Sequence, residues 1–221
     1  MGKIIVFEGA CDGIGKTTQD NLLCEKLIKD GYKIFRYKFP SYGEKQAQDV
    51  EKYLKGEYGD PKTLDPKLVH SFYANDRKVT WNKLLKEKYA EDYILILDRY
   101  VTSSLIYQSS VVKEESSKKE IIDYMANVEY NINEVAKPDV VIFLYADYSL
   151  AKKMREERKD NAGIKNDVHE KDDTYMRNVY NSSLFVADYC KFDKIKCDSN
   201  GKMLKKEEIS NEIYKLVKKR I

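Results

Sequence analysis

A glycine-rich turn near the N-terminus constrains the fold of this 221-residue chain more than any other feature. The apolar run Lys3–Phe7 is typical of a buried strand, and residues 16–30 carry apolar side chains at helical spacing. Between them lies the segment Gly9–Thr18, with the sequence GACDGIGKTT. Such a turn exposes backbone N–H groups at the positive end of a helix dipole, where phosphate groups bind. The segment therefore predicts a site for a nucleoside triphosphate.

Individual residues of this turn have expected roles. The lysine beside the helix reaches the β- and γ-phosphates, and the hydroxyl that follows it holds Mg²⁺. Lys16 is therefore a catalytic candidate and Thr17 a metal ligand. The predicted ATP-binding residues are Gly13, Ile14, Gly15, Lys16, Thr17 and Thr18. The alternative at this point is a chance glycine-rich turn between a strand and a helix.

The turn departs from the usual spacing by one residue. The usual pattern has four residues between its first glycine and the Gly-Lys pair, whereas five separate Gly9 from Gly15 here. The position that the strict pattern gives to glycine is occupied by Ala10. We expect the extra residue at Ala10 or Cys11, as a bulge before Asp12 that leaves the following part of the loop in its usual shape.

Short apolar runs alternate with helical patterns along the whole chain. This alternation predicts a three-layer α/β fold, in which a mostly parallel five-stranded sheet is flanked by helices on both faces. No segment is long or rich enough in Gly and Pro to divide the chain, so we expect one domain over residues 1–221 with a lid at about 155–170. Strands are predicted at 3–7, 33–39, 93–97, 140–144 and 195–197, and helices at 16–30, 45–55, 149–158, 171–190 and 205–219, with two more opening at Asp65 and Ser117.

Composition and charge exclude several classes of protein. Forty Lys and Arg against thirty-seven Asp and Glu give no overall basic footprint for nucleic acid. The longest apolar run, Val140–Tyr145, is far shorter than the roughly 20 residues that cross a bilayer. The N-terminal residues do not form a signal peptide, and the four cysteines have no CxxC spacing. We therefore expect a cytoplasmic protein with reduced thiols that binds neither nucleic acid nor membrane.

A second polar group follows the third predicted strand. Asp98-Arg99-Tyr100 ends that strand, and the polar run Ser103–Gln108 comes next. A carboxylate at this place can organise Mg²⁺ or its water ligands, which makes Asp98 a second candidate metal ligand. The planar guanidinium of Arg99 can clamp a phosphate group. The alternative is a buried Asp–Arg pair that only closes the strand, and it leaves the polar run unexplained.

In combination these motifs resemble the thymidylate kinases, P-loop enzymes that phosphorylate dTMP. The glycine-rich loop is common to many kinases, but its combination with Asp-Arg-Tyr and a later Tyr-Gln is specific to this family. These motifs occur in the same order as in the family, over residues 3–170. They are Phe7–Gly9 leading into Asp12–Gln19, Phe39-Pro40, Phe72–Arg77, Asp98–Gln108, Pro138-Asp139 and a basic lid near 155–169.

The resemblance implies a P-loop kinase fold with a mobile lid, ATP and Mg²⁺ as cofactors, and a homodimer. It implies that Asp12 lies near the 3′-hydroxyl of the acceptor, that Arg99 clamps the acceptor phosphate, and that Phe39 and Pro40 wall the nucleoside. Tyr73 takes the place of the ring that stacks on the base, and Arg77, one helical turn on, reaches the thymine carbonyl. The substrate-binding residues implied are Asp12, Phe39, Pro40, Tyr42, Tyr73, Arg77, Arg99, Ser103, Ser104, Tyr107 and Gln108.

Two departures from the family pattern move the expected positive charge. Many members carry an arginine just after Phe-Pro, where Ser41 and Tyr42 stand here, so more of the phosphate contact falls on Arg99. Some members also carry an arginine inside the P-loop, and this loop has no cation before its lysine. The lid then supplies the charge, with Arg155 and Arg158 favoured over Lys159 and Lys165. The catalytic candidates are Asp12, Lys16, Arg99, Arg155 and Arg158.

The sequence leaves two other functions open. One is a kinase for another nucleotide or for a nucleoside, although a nucleoside kinase would not need a phosphate clamp such as Arg99. The other is a nucleotide-binding protein without catalysis, which the unusual loop keeps in consideration. The helix beginning at Asp65 and the helix after Asp98 are candidate elements for a dimer interface.

Overall fold

The computed structural model describes residues 2–60, 63–162 and 173–221. Its five-stranded sheet is parallel throughout, with the strand order β2-β3-β1-β4-β5. The first strand is central, since β1 pairs with β3 on one side and with β4 on the other. The strands are β1 (Lys3–Gly9), β2 (Ile34–Lys38), β3 (Ile94–Asp98), β4 (Val140–Tyr145) and β5 (Asp193–Lys196).

Helices connect the strands, as parallel pairing requires. A 3₁₀ turn at Lys45–Ala47 precedes α2, and π-helical turns at Trp81–Leu85 and Val128–Ile132 prolong α3 and α6. A hairpin of two short strands, β6 (Asp198–Ser199) and β7 (Lys202–Met203), follows β5. The helices are α1 (Lys16–Lys29), α2 (Gln48–Leu54), α3 (Pro66–Thr80), α4 (Lys86–Ala90), α5 (Val101–Ser109), α6 (Glu115–Asn127), α7 (Tyr148–Ala162), α8 (Asp173–Tyr189) and α9 (Lys206–Lys218).

The two faces of the sheet are both covered, which gives the predicted three layers. Because successive strand residues point to opposite faces, Ile4 and Val6 belong to one core and Ile5 and Phe7 to the other. Residues of α5, α6 and α8 fill the first core, and residues of α1 and α9 fill the second. The α/β prediction is therefore confirmed, with strand boundaries within about two residues of those expected.

Several local predictions are wrong. The helical spacing of residues 16–30 groups Ile28 with Leu23 and Leu27 on one apolar face, but Ile28 is 59% exposed. Ser117 does not cap a helix, since α6 begins two residues earlier at Glu115. The polar character of His70 favours a place on the surface of the helix that opens at Asp65, but its side chain is 1% exposed. The helix predicted at 149–158 extends to Ala162, where α7 ends.

Candidate active site

The glycine-rich loop leaves β1 beside β4 and enters α1. Gly9 pairs with Leu144 of β4, and a side-chain carbon on Gly9 would lie 2.8 Å from Ile14 Cγ2. Gly13 and Gly15 have φ angles of 88° and 97°, in the left-handed region that favours glycine. The three glycines are thus required by close packing at the first position and by backbone conformation at the other two.

The two residues at the expected insertion continue the strand and enter the core. The Ala10 N–H donates to the Leu144 carbonyl at 2.9 Å, which extends the ladder past Gly9. Cys11 is buried, with its Sγ 3.8 Å from the Ala151 carbonyl of α7. Ala10 thus prolongs the strand and Cys11 packs against α7, while the place of the extra residue before Asp12 stays a prediction.

Asp12 joins the loop to the end of β3 through two cations. Its Oδ1 accepts from Arg99 Nη2 at 2.6 Å and from Lys16 Nζ at 3.3 Å. Arg99 itself has a φ of 66°, a conformation that a non-glycine residue adopts at a cost in energy. The surrounding structure thus holds a strained arginine directly beside the loop.

The charge of Arg99 is stabilised by its surroundings. Burial alone lowers the pKa of Arg99, but Asp12, Tyr107, Glu8 and Asp98 outweigh burial and raise that pKa well above its ordinary value. Its Nη1 lies 3.5 Å from the Tyr107 hydroxyl oxygen and 3.8 Å from Glu8 Oε1. Arg99 is therefore a permanent cation that faces the loop, as a phosphate clamp must be.

Glu8 is a site residue that the sequence analysis missed. Its side chain has no exposed surface, and the strand that carries it is otherwise mostly apolar. Its Oε2 accepts from Thr102 Oγ1 at 3.0 Å and from Ser103 Oγ at 2.5 Å. A carboxylate within a buried strand is the signal that could have identified it, because an acid is rarely fully buried without partners.

The residues at the loop and at the end of β3 fit a bound Mg²⁺. Asp98 Oδ1 is buried and has no hydrogen-bond partner among the described residues, while Oδ2 lies 3.3 Å from Lys38 Nζ. The Thr17 side chain is exposed at the start of α1. The described residues contain no group of three His, Cys, Asp or Glu side chains placed to hold a metal. Mg²⁺ in nucleotide sites typically uses one or two protein carboxylates with substrate phosphates and water, so this donor set suits it.

Two of the predicted acceptor residues, Arg77 and Ser104, meet between α3 and α5. Arg77 of α3 donates from Nη2 to Ser104 Oγ of α5 at 2.8 Å. One turn further along α5, Gln108 is buried and its Oε1 has no partner among the described residues. Tyr73, one turn before Arg77, is half-buried, and its pKa is raised well above its ordinary value, first by burial and then by nearby tyrosines. Those tyrosines are Tyr53, Tyr42, Tyr175 and Tyr107.

Two predicted acceptor residues lie deeper than expected. Phe39 is 2% exposed and packs between the rings of Tyr37 and Tyr100, so Pro40 and Tyr42 are the more exposed members of this segment. Arg77 is also 2% exposed. It is paired with a buried carboxylate, Glu129, that the sequence analysis did not single out.

The lid cations cannot be compared with these groups in the same way. Helix α7 includes Arg155, Arg158 and Lys159, but the side chains of these residues lie outside the described part of the structure. Lys165 and the remainder of the expected lid fall within 163–172, also outside that part of the chain.

Comparisons with known proteins agree on one family. A family model described as thymidylate kinase matches residues 7–213. A probable thymidylate kinase of Methanocaldococcus jannaschii is 32% identical over 214 residues, which cover 97% of this chain and 95% of that protein. A probable thymidylate kinase of Methanococcus aeolicus is 34% identical over 217 residues, which cover 97% of this chain and 95% of that protein.

Solved structures agree in fold. The thymidylate kinase of Candida albicans matches with a TM-score of 0.73 at 19% identity, covering 99% of this chain and 92% of that one. The thymidylate kinase of Ehrlichia chaffeensis matches with a TM-score of 0.65 at 20% identity, covering 98% of both chains. At these identities the likeness concerns the fold.

Proposed function

This chain belongs to the thymidylate kinase family, and from that premise we propose that it transfers the γ-phosphoryl group of Mg-ATP to dTMP. The observation that carries the proposal is the bridge formed by Asp12. Its carboxylate contacts Lys16 of the loop at 3.3 Å and Arg99 of the acceptor side at 2.6 Å. One carboxylate thereby connects the group expected to hold the donor phosphates with the group expected to hold the acceptor phosphate.

The donor side of the reaction is assigned to the loop. The backbone N–H groups of Gly13–Thr18 and the Lys16 ammonium would bind the ATP phosphates. Thr17 and Asp98 would hold Mg²⁺ or its water ligands, and the orphaned Oδ1 of Asp98 supports this assignment. When bound, the ion neutralises charge on the transferring phosphoryl group.

The acceptor side needs orientation more than covalent chemistry. An oxygen of the dTMP phosphate is itself the nucleophile, so the protein has to bring it in line with the γ-phosphorus. Arg99 would hold that phosphate, and Asp12 would orient Arg99 and Lys16. We assign the nucleoside to the region between α3 and α5, with Tyr73 stacked on the base and Ser103, Ser104, Tyr107 and Gln108 around base and sugar.

The lid is proposed to complete the site. Arg155 and Arg158 would bring positive charge to the γ-phosphate, because the loop has no cation before Lys16. Closure over the bound nucleotides would also exclude water and so suppress ATP hydrolysis.

An assay with separate acceptors tests this function. The purified protein is given Mg-ATP with dTMP, dUMP, dCMP, AMP or thymidine, and ADP release is measured. We expect a strong preference for dTMP. A hydrophobic pocket distinguishes one methyl group by roughly 10- to 200-fold, which sets the expected preference over dUMP. Preference for another acceptor would contradict the assigned substrate, and ATP binding without transfer to any acceptor would contradict a kinase.

Variants of Arg99 test the clamp within the same assay. Arg99→Ala should reduce kcat/KM for dTMP by about 100-fold or more, since preorganised charge at a reacting phosphate contributes on that scale. Arg220→Ala is the matched control, because Arg220 pairs with Asp193 at the exposed end of the chain. Equal activity in both variants would remove Arg99 from the mechanism.

We also propose a homodimer that uses the exposed face of α3 and α6. Leu68 and Tyr124 are 46% and 42% exposed, and Lys67 Nζ lies 4.5 Å from the Tyr124 ring, so the two surfaces adjoin. The other candidate interface, α5, is almost entirely buried within the chain. Leu68→Glu should convert a dimer to a monomer in light scattering, whereas Ile28→Glu, at an exposed position of α1, should not. A monomeric wild type would contradict the proposal.

A further inference from the structure

Arg77 and Glu129 form a buried ion pair on the acceptor side. Glu129 has no exposed surface and lies in the π-helical turn that follows α6. Its Oε1 accepts from Arg77 Nε at 2.8 Å and also from Nη2. Two donors of one guanidinium thus share a single carboxylate oxygen that no solvent reaches.

Two further contacts fix the guanidinium plane. Nη2 of Arg77 donates to Ser104 Oγ at 2.8 Å, and Nη1 donates to the Tyr100 carbonyl at 3.4 Å. A guanidinium carries five N–H groups, and these contacts account for four of them. The fifth N–H group, the second one on Nη1, takes no part in these four contacts. Because the partners come from three different parts of the chain, the plane has one orientation.

Arg77, Glu129 and His70 form a buried cluster in which several polar atoms lack hydrogen bonds among the described residues, which is unfavourable in a purely structural element. Glu129 Oε2 and both ring nitrogens of His70 are buried and have no hydrogen-bond partners among the described residues. His70 Nε2 lies 3.8 Å from Glu129 Oε1. Burial, followed by the charge of Arg77, lowers the pKa of His70 to about 3, so the imidazole is neutral and Arg77 is the cation that balances Glu129.

Stability is therefore a weak explanation for this pair. A buried ion pair is often replaceable by apolar residues without loss of stability, and each unsatisfied buried group is unfavourable. What such a pair does supply is a fixed direction for a planar donor. The π-helical turn that carries Glu129 fits this view, because such turns occur frequently at functional sites.

The pair adjoins the region assigned to the base. Ser104, which accepts from Arg77, lies one turn before Gln108, whose buried Oε1 lacks a partner. Tyr73 lies one turn before Arg77 on α3. A donor fixed at Arg77 suits the carbonyl at position 4 of thymine or uracil. It does not suit the amino group that cytosine carries there.

We propose that Glu129 is a positioning residue for acceptor specificity: it orients Arg77 so that one N–H reads a carbonyl oxygen of the base. Glu129 acts through Arg77 and has no contact with the reacting phosphates. The inference rests on the proposed function, because it takes dTMP as the acceptor. It adds a residue in the turn after α6 to the determinants of base selection.

The variant Glu129→Gln tests this role by a split between kinetic constants. It keeps size and one acceptor oxygen but removes the charge that holds the guanidinium. A misplacement of about 1 Å can cost about 100-fold, so we expect KM for dTMP to rise by about 10- to 100-fold. KM for ATP should stay unchanged. The ratio of kcat/KM for dTMP to that for dCMP should fall by a similar factor, and Glu129→Asp should restore part of it.

Asp20→Asn is the matched control. Asp20 is also buried and pairs with an arginine, Arg36 Nη2, at 2.5 Å, but this pair lies between α1 and β2. The control should lose stability without a change in the preference for dTMP over dCMP. An equal loss on both acceptors in Glu129→Gln, or unchanged selectivity, would overturn the inference.

A second variant covers the case in which Glu129→Gln does not fold. Arg77→Lys keeps a cation beside Glu129 but loses the planar fork. Circular dichroism should report a folded protein, and its selectivity should fall as in Glu129→Gln. Unchanged selectivity in Arg77→Lys would overturn the inference by itself. A wild type that transfers nothing to dTMP would instead overturn the proposed function, so the two failures are distinguishable.

Discussion

Glu8 shows how a single side chain can organise both halves of a site. It lies on the central strand, and its carboxylate accepts from Thr102 and Ser103 at the start of α5. The same carboxylate lies 3.8 Å from Arg99 Nη1. One buried acid therefore fixes the start of α5 and contributes to the charge balance of Arg99.

Removing that charge should weaken catalysis more than folding. Glu8→Gln keeps an acceptor for the two hydroxyls but leaves Arg99 with less negative charge around it. We expect kcat to fall by about 10- to 100-fold, the scale of an effect on positioning. Steady-state assays with dTMP would measure it. Thr102→Val is the control, since it removes one hydrogen bond and keeps the charge. An equal fall in both variants would show that hydrogen bonding, rather than charge, matters at Glu8.

His70 should make the stability of the fold depend on pH. Its pKa is lowered to about 3 in the folded protein by burial and by Arg77, against about 6.5 in an unfolded chain. Below pH 6.5 the unfolded state therefore binds more protons, and the free energy of unfolding falls as pH decreases. The slope from this group is about 1.4 kcal/mol per pH unit between these two values.

Urea denaturation between pH 7.5 and 5 checks this expectation. His70→Leu should have a flatter pH dependence than the wild type over that range. His169→Asn, which removes the second of the two histidines, should keep the wild-type dependence. Parallel curves for the wild type and His70→Leu would contradict the assignment of the effect to His70.

The residues that sequence reasoning missed share one cause. Glu129 stands four residues after Met125 and eight after Ile121, both buried, so it occupies the core-facing stripe of its helix. A stripe position identifies burial, but it cannot identify Arg77 as the partner, because that residue is 52 positions away in the chain. Glu8 was missed for the same reason, with its partners at Thr102 and Ser103.

At the level of elements, the two predicted helix starts had different outcomes. Asp65 caps α3, with its Oδ1 accepting from the Lys67 N–H at 2.8 Å and Pro66 in the first helical position. Ser117 lies within the first turn of α6, which begins at Glu115. The pattern of Ser followed three residues later by Glu was present at the second site, but such a short pattern also occurs inside helices.

Alanine substitutions should separate these two positions. Asp65→Ala should lower the free energy of unfolding by about 1 kcal/mol, the usual effect of losing a cap. Ser117→Ala, on an exposed side chain within a helix, should change it by less than about 0.5 kcal/mol. Chemical denaturation would measure both. A loss in Ser117→Ala as large as that in Asp65→Ala would contradict the observed start of α6.

The boundaries of strands and helices were more predictable than their contacts. Runs such as Val140–Tyr145 are apolar throughout because both faces of a central strand are covered, and the sequence pattern reports this directly. Helical spacing is less decisive at the edge of a stripe, where Leu27 is buried and its neighbour Ile28 is exposed. The short hairpin β6–β7 has two residues in each strand, too few for a pattern to appear.

For the whole molecule, the proposed function predicts stabilisation by ligands. Any ligand that binds only the folded state adds about 2.7 kcal/mol at 100 times its dissociation constant. Saturating dTMP should therefore raise the melting temperature of the wild type, and a non-hydrolysable ATP analogue with Mg²⁺ should raise it further. Differential scanning fluorimetry would measure both shifts. Arg99→Ala should lose most of the response to dTMP while it keeps that to the analogue, and loss of both would indicate a general defect.

The strand order has a consequence for how the chain acquires its shape during synthesis. The central strand β1 is made long before its neighbours β3 and β4, with Lys3 opposite Ile94 and Ile5 opposite Val140. Pairings between distant positions form slowly, and unpaired strands are exposed to aggregation in the meantime. The central strand therefore lacks one of its two neighbours until residue 145 has left the ribosome. The loop that follows β1 is thus translated well before the strand it leaves has both of its neighbours.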